Sequence, residues 1–136
     1  MASPEPEKPS HSINVLILDD QHQVLFENIR RLKEVMKAGV GAAELPQLLR
    51  NLARLANYHF PTEERLMESY GYPLRDMHAL EHRTAFKHLR HMNRLIRAGD
   101  NSVAVQAMDL LNYWLEHHVG HWDARLGEYL NAHGVS

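Results

Sequence analysis

The sequence predicts an all-α protein, an up-down-up-down antiparallel four-helix bundle with a short N-terminal arm. Apolar residues recur at helical spacing over four long stretches, and short breaks rich in glycine and proline separate these stretches. Short connections make consecutive helices antiparallel neighbours. A third observation is the 11 histidines among 136 residues, several of which fall on the apolar faces.

Length and composition indicate one soluble globular domain, with 44% apolar and 24% charged residues. The net charge of -2 gives no electrostatic case for a nucleic-acid partner. We expect no membrane insertion, because no run of about 18 apolar residues occurs. The N-terminal segment lacks the apolar core of a signal peptide, so a cytoplasmic location is the default. The absence of cysteine excludes disulfides and thiolate metal ligands.

Residues 1–12 contain three prolines among charged and small residues and are predicted to be a flexible tail, with residues 13–136 forming the bundle. The first helix is predicted from Asp19, as N-cap, to about Ala38. Its inward face carries His22, Leu25, Phe26, Ile29, Leu32, Val35 and Met36. A lone inward histidine such as His22 is more often a hydrogen-bonded core residue than a metal ligand.

The second helix is predicted from about Ala43 to Tyr70, with Pro46 in its first turn. Pro61 lies inside it and removes one backbone hydrogen bond, which predicts a kink or a local opening. Because the apolar period resumes at Leu66, we expect the helix to continue past the proline.

The third helix is predicted from about Leu74 to Ala98. The fourth follows a loop over residues 98–102 and runs to about His133. His59 and Glu63 on the second helix, and His78 and His82 on the third, are each four residues apart. Residues at this spacing share one helix face, and the two helices are neighbours. The pattern therefore predicts a nitrogen-rich metal site.

Four motifs of the chain are LDDQH at 18–22, HFPTEE at 59–64, HALEH at 78–82 and HVGHWD at 118–123. Together they resemble the motifs of the bacterial hemerythrins, which are non-haem di-iron oxygen-binding proteins. The resemblance covers roughly residues 14–132.

This resemblance implies a cofactor of two iron ions joined by an oxo or hydroxo bridge. It implies that His78, His82 and His118 hold one iron and that His22 and His59 hold the other. Glu63 and Asp123 would bridge the two irons, and the second iron would keep one position open for dioxygen or for small anions.

The function implied is reversible dioxygen binding, as an oxygen carrier or store that supplies an oxygen-consuming protein partner, and not as an enzyme. Three alternatives stay open: oxygen, redox or nitric-oxide sensing, iron handling, and a structural metal bundle. An apolar pocket over the open iron is predicted from Leu25, Phe60, Trp114, Leu115 and Val119. The same stripe also fits plain bundle core.

Two features depart from the simplest pattern. His118 and Asp123 are five residues apart, which is about 140° around an ideal α-helix, so a widened turn near Gly120 is needed to bring them together. His117 and His121 form a rival pair at helical spacing, although His118 lies on the apolar stripe. In addition, bacterial hemerythrins usually carry an aromatic residue before the first helix, and residues 11–18 contain none.

Overall fold

A computed structural model of the chain describes residues 11–39 and 42–136. The predicted all-α four-helix bundle is confirmed, and no strand occurs in the described residues. The helices are α1 (Leu16–Ala38), α2 (Leu45–Ser69), α3 (Arg75–Arg97), α4 (Asn101–His118) and α5 (Ala124–Ala132). A 3₁₀ turn, Ala42–Glu44, precedes α2, and a π-helical turn, Val119–Asp123, joins α4 to α5 into one long fourth helix.

The helices pack in a ring, because α1 contacts α2, α2 contacts α3, α3 contacts α4, and α4 returns to α1. One core of leucine, methionine, isoleucine and alanine side chains runs along the axis of the bundle. None of the helices in the described residues is long and apolar enough to cross a membrane. The predicted cytoplasmic location and the domain boundary at residue 13 stay predictions, and most of the predicted tail, residues 1–10, lies outside the described residues.

The start of α1 differs from the prediction. The helix begins at Leu16, with Val15 as N-cap, and Asp19 lies in its first turn. The Asp19 carboxylate accepts hydrogen bonds from the Ser12 hydroxyl at 2.7 Å and from the Ile13 backbone N–H at 2.8 Å. Asp19 therefore reaches back to hold the N-terminal arm, and the predicted N-cap assignment was wrong because this carboxylate satisfies donors upstream of the helix.

The arm packs through aliphatic rather than aromatic side chains. Ile13, Val15 and Leu18 are almost completely buried. A Cβ atom added to Gly127 on α5 would lie 2.5 Å from the Ile13 carbonyl oxygen. The arm can approach α5 this closely only because position 127 lacks a side chain.

Both prolines of α2 lie where they were predicted. Pro46 occupies the first turn, where a missing backbone N–H costs nothing. The helix continues through Pro61 to Ser69, with the Thr62 hydroxyl donating to the Tyr58 carbonyl at 2.7 Å. The chain then turns at Gly71, whose φ of 62° suits glycine, and enters α3. The unbroken α2 holds the side chains on both sides of Pro61 facing the same interior space.

Candidate metal centre

Seven polar side chains meet in the interior, at the end of the bundle near the α2–α3 turn. None is more than 2% exposed, although all are ionisable. They are His22 of α1, His59 and Glu63 of α2, His78 and His82 of α3, His118 of α4, and Asp123 of the π-helical turn. These are the seven residues that the motifs predicted as metal ligands, and the structure brings all of them together.

The cluster divides into two groups that share both carboxylates. In each group, one ligand atom per residue can be chosen so that all chosen atoms lie within 4.8 Å of one another. The larger group contains Glu63, His78, His82, His118 and Asp123, and the smaller contains His22, His59, Glu63 and Asp123. This is the division of histidines that the resemblance implied.

Glu63 directs one carboxylate oxygen toward each group. Its Oε1 lies 2.9 Å from His59 Nε2 and 3.3 Å from His22 Nε2. Its Oε2 lies 2.9 Å from His82 Nε2 and 3.2 Å from His78 Nε2. A carboxylate oriented in this way can bridge two cations.

Asp123 does the same from the opposite helix. Its Oδ1 lies 2.9 Å from His78 Nε2 and 3.1 Å from His118 Nε2, whereas its Oδ2 lies 3.0 Å from His22 Nε2. Although these nitrogens are close, both oxygens of Asp123 lack a hydrogen-bond partner among the described protein atoms. Buried polar atoms are normally paired, so these atoms fit a shared cation between them.

The electrostatics of the metal-free cluster are those of carboxylates facing imidazoles. Burial by itself would lower the pKa of His22, but the close, negatively charged carboxylates of Asp123 and Glu63 outweigh burial and raise it to about 10. The same balance raises the pKa of His78 to about 9. For Glu63, burial favours the neutral form, yet the facing imidazoles hold its pKa well below the usual range. Protons therefore occupy the cluster in the absence of a cation, and a bound metal would displace them.

The π-helical turn aligns the two ligand candidates of the fourth helix. A turn with hydrogen bonds from residue i to i+5 places residues five apart on one face, which is the separation of His118 and Asp123. The predicted widened turn is confirmed. His117 and His121 are both exposed, with ring centroids 4.2 Å apart, and they lie outside the cluster. Gly120 has open space around its Cβ position, so sterics do not demand glycine there.

The sequence analysis missed two contacts of the imidazoles. His59 Nδ1 lies 2.7 Å from Gln21 Oε1, a hydrogen bond to the second ring nitrogen of the kind that orients a ligating histidine. His82 Nδ1 lies 3.6 Å from Glu64 Oε2, which is too long for a hydrogen bond but places a carboxylate beside the ring. Each partner is the sequence neighbour of a candidate ligand, since Gln21 precedes His22 and Glu64 follows Glu63; this adjacency was the available signal.

Aromatic rings cover the imidazoles on the side facing the core. Phe60 stacks on His82 with ring centroids 4.3 Å apart, and Trp114 stacks on His118 at 4.7 Å. Both rings also line a small interior cavity of about 20 Å³, enough for one water-sized molecule. The cavity is lined by Leu25, Ile29, Leu52, Ala56, Phe60, Ala85, Leu89, Leu111, Trp114 and Leu115.

Four of the five predicted pocket residues therefore surround this cavity. Val119, the fifth, is completely buried but is not part of its lining. All lining side chains are apolar apart from the indole N–H of Trp114, so the cavity offers little to hold water. The role of these residues toward dioxygen stays a prediction.

Comparison with known proteins agrees with the geometry of the cluster. Residues 14–130 match the family model of the hemerythrin HHE cation binding domain. A bacteriohemerythrin from Campylobacter jejuni is 40% identical over 72 residues, which cover 53% of this chain and 54% of that protein. The match thus spans about half the length of that relative. Bacteriohemerythrins from Stenotrophomonas maltophilia and Methylococcus capsulatus are 25% and 27% identical, over 90% and 88% of this chain and 78% and 90% of theirs.

The fold is also that of a solved hemerythrin. A crystal structure of wild-type hemerythrin superposes with a TM-score of 0.80 at 24% identity, covering 94% of this chain and 98% of that chain. At this identity the likeness supports the fold alone. The family model, in contrast, spans most of the chain and includes all seven clustered residues. The chain belongs to the hemerythrin HHE cation binding domain family.

Proposed function

We propose that the chain binds dioxygen reversibly at a non-haem di-iron centre, as an oxygen carrier or store and not as an enzyme. The observation that carries the proposal is the unequal division of buried ligands around two shared carboxylates. Five side chains form one group and four form the other. An iron ion in the smaller group would have one protein ligand fewer, which leaves room for a small molecule.

In this proposal His78, His82 and His118 hold one iron, and His22 and His59 hold the other. Glu63 and Asp123 bridge the pair, as the direction of their oxygens supports. Imidazole and carboxylate are suitable ligands for iron, and the chain has no cysteine to favour softer metals. The two irons, when bound, supply the electrons that dioxygen needs to bind.

The protein's own contribution is to orient the imidazoles and to keep the site dry. Gln21 accepts a hydrogen bond from His59, which leaves Nε2 of that ring to face the cluster. Phe60, Trp114 and Leu115 wall the apolar cavity on the side of the core.

The experiment is a visible spectrum of the anaerobically reduced, iron-loaded chain before air, after air and after deoxygenation. We expect a charge-transfer band that appears with dioxygen and disappears without it, at two irons per chain. One iron per chain, or zinc retained in preference to iron, would contradict the di-iron centre. Irreversible oxidation in a single exposure would contradict the carrier and leave sensing or iron handling.

The partner of such a carrier would be an oxygen-consuming protein. Small anions that compete with dioxygen for the smaller group form the matched test of access, because they need the same vacant position. Azide should shift the spectrum of the oxidised, iron-loaded chain. If azide also prevents dioxygen binding after the chain is reduced, the anion and dioxygen use the same vacant position.

A further inference from the structure

The small net charge conceals a strongly basic surface on two adjacent helices. Residues 45–62 of α2 and 82–97 of α3 contain seven of the 15 Lys and Arg residues and none of the 17 Asp and Glu residues. All seven side chains are exposed. They are Arg50, Arg54, Arg83, Lys87, Arg90, Arg94 and Arg97, and we call this surface the basic band.

The α3 part of the band has a regular spacing. From Arg83 to Arg97 its five basic residues are separated by four, three, four and three positions. Residues at this alternating spacing form one stripe along a helix, as the charged flanks of a coiled-coil seam do. The band therefore presents its charges in a helical repeat and not as a scattered surface.

An apolar groove of about 440 Å³ lies between α2 and α3 and is bordered by the band. Arg50, Arg90 and Arg97 contribute to its walls. Its apolar lining is Pro46, Leu49, Ala53, Phe86, Leu89 and Ile96. On α3 the apolar positions 86, 89 and 96, with Asn93 between the last two, follow the three–four repeat of a seam for a second helix.

The charges of the band are not neutralised within the described part of the chain. The salt bridges there that involve Lys or Arg use Arg30, Lys33 and Arg75, none of which belongs to the band. Arg50 makes a hydrogen bond only to the neutral side chain of Gln47. Unpaired cations bordering an apolar groove are complementary to an acidic, amphipathic partner.

We propose that this groove is the docking site for an acidic amphipathic helix of a partner protein. Apolar side chains of that helix would enter the groove at three- and four-residue spacing, and its Asp and Glu residues would face the basic band. Docking does not depend on the proposed oxygen function. The groove and the interior cavity are adjacent, however, since Leu89 lines both.

The surface fits two other polyanions less well. A membrane would require apolar side chains that protrude, whereas Leu49 and Leu89 are only 5% and 8% exposed and lie at the base of the groove. A nucleic acid would pair its phosphates with the basic band but would leave the apolar lining at Leu49, Leu89 and Ile96 without a partner. A helix uses both the apolar groove and the charged border.

The test uses the metal-loaded full chain and two designed, fluorescently labelled helical peptides of about three heptads. Both carry Leu at the seam positions, and the flanking positions carry Glu in one peptide and Lys in the other. We expect saturable binding of the Glu peptide, weakened by salt, and no binding of the Lys peptide. Absence of saturable Glu-peptide binding, or tighter binding of duplex DNA or phosphatidylglycerol vesicles, would overturn the proposal.

Variants locate the binding on the chain. The double variant Arg90→Glu with Arg97→Glu should lower the affinity for the Glu peptide by at least about tenfold, because like charges then face each other. The control Arg31→Glu with Lys37→Glu makes the same charge change on exposed positions of α1 and should leave the affinity nearly unchanged. Ile96→Asn should weaken binding with no change in charge. Equal loss in the α1 control would show general charge attraction and would refute the groove.

Discussion

Leu115→Ala separates a pocket role from a core role at the candidate metal centre. Leu115 is 3% exposed, lines the interior cavity and lies one turn before His118. The change removes about three methyl-sized groups, worth about 2.4 kcal/mol of transfer free energy. The enlarged cavity adds to this loss, which gives a total of about 2–5 kcal/mol of unfolding free energy.

The matched control is Leu32→Ala, which removes the same groups from a fully buried leucine that does not line the cavity. Denaturant unfolding of the two metal-free variants should show losses of similar size. Autoxidation of the dioxygen-bound form and azide binding, followed by visible spectroscopy, should become faster in Leu115→Ala alone, because the change opens space for water and anions one turn before His118. Equal autoxidation rates in Leu115→Ala, Leu32→Ala and the unchanged chain would refute the pocket and leave the core role.

Three further predictions concern ligands, backbone packing and protonation. His118→Ala should lose iron, measured by metal analysis, whereas His121→Ala should retain it; loss in both would contradict the assignment of the fourth helix. Gly127→Ala should lower the free energy of unfolding by about 1–3 kcal/mol through overpacking, measured by denaturant unfolding. Gly120→Ala, at a position with open space, should be neutral or slightly stabilising. Equal effects of the two changes would contradict the close packing of the arm against Gly127. In the metal-free chain the pKa of His22 is raised from 6.5 to about 10, so its stabilising contribution is complete below pH 6.5 and is lost as the pH rises through about 10. Unfolding free energies that do not fall over this pH window would contradict the carboxylate–imidazole pairing.

Local sequence was sufficient for the helices and for two pairs of the clustered residues, and the resemblance of the motifs supplied His22, His118 and Asp123. Helical periodicity and short breaks predict four helices and their order, because each helix must bury one apolar face. His59 with Glu63, and His78 with His82, lie on shared faces through spacing alone. The continuation of α2 through Pro61 also followed from the apolar period beyond it.

Contacts between distant segments could not be predicted in this way. Glu63 and Asp123 each direct one oxygen to one group and the other oxygen to the second group. This orientation depends on how four helices pack around one space. The hydrogen bond from His59 to Gln21 joins α2 to α1, and the groove beside the basic band depends on which side chains of the neighbouring helices α2 and α3 leave space between them.

The N-terminal arm shows the limit most clearly. The sequence indicates an acidic helix start at Asp19. That the Asp19 carboxylate accepts hydrogen bonds from Ser12 and Ile13 could be known only from the path of the folded arm. Gly127 is a helical glycine with no local reason to be glycine, and only the approach of Ile13 explains it. Periodicity records which face of a helix is buried, and therefore the sequence by itself determined the helices and the spaced pairs His59–Glu63 and His78–His82, while the motif resemblance supplied the other candidate ligands. Tertiary packing decided which atoms face each other, because those distances depend on residues far apart in the chain.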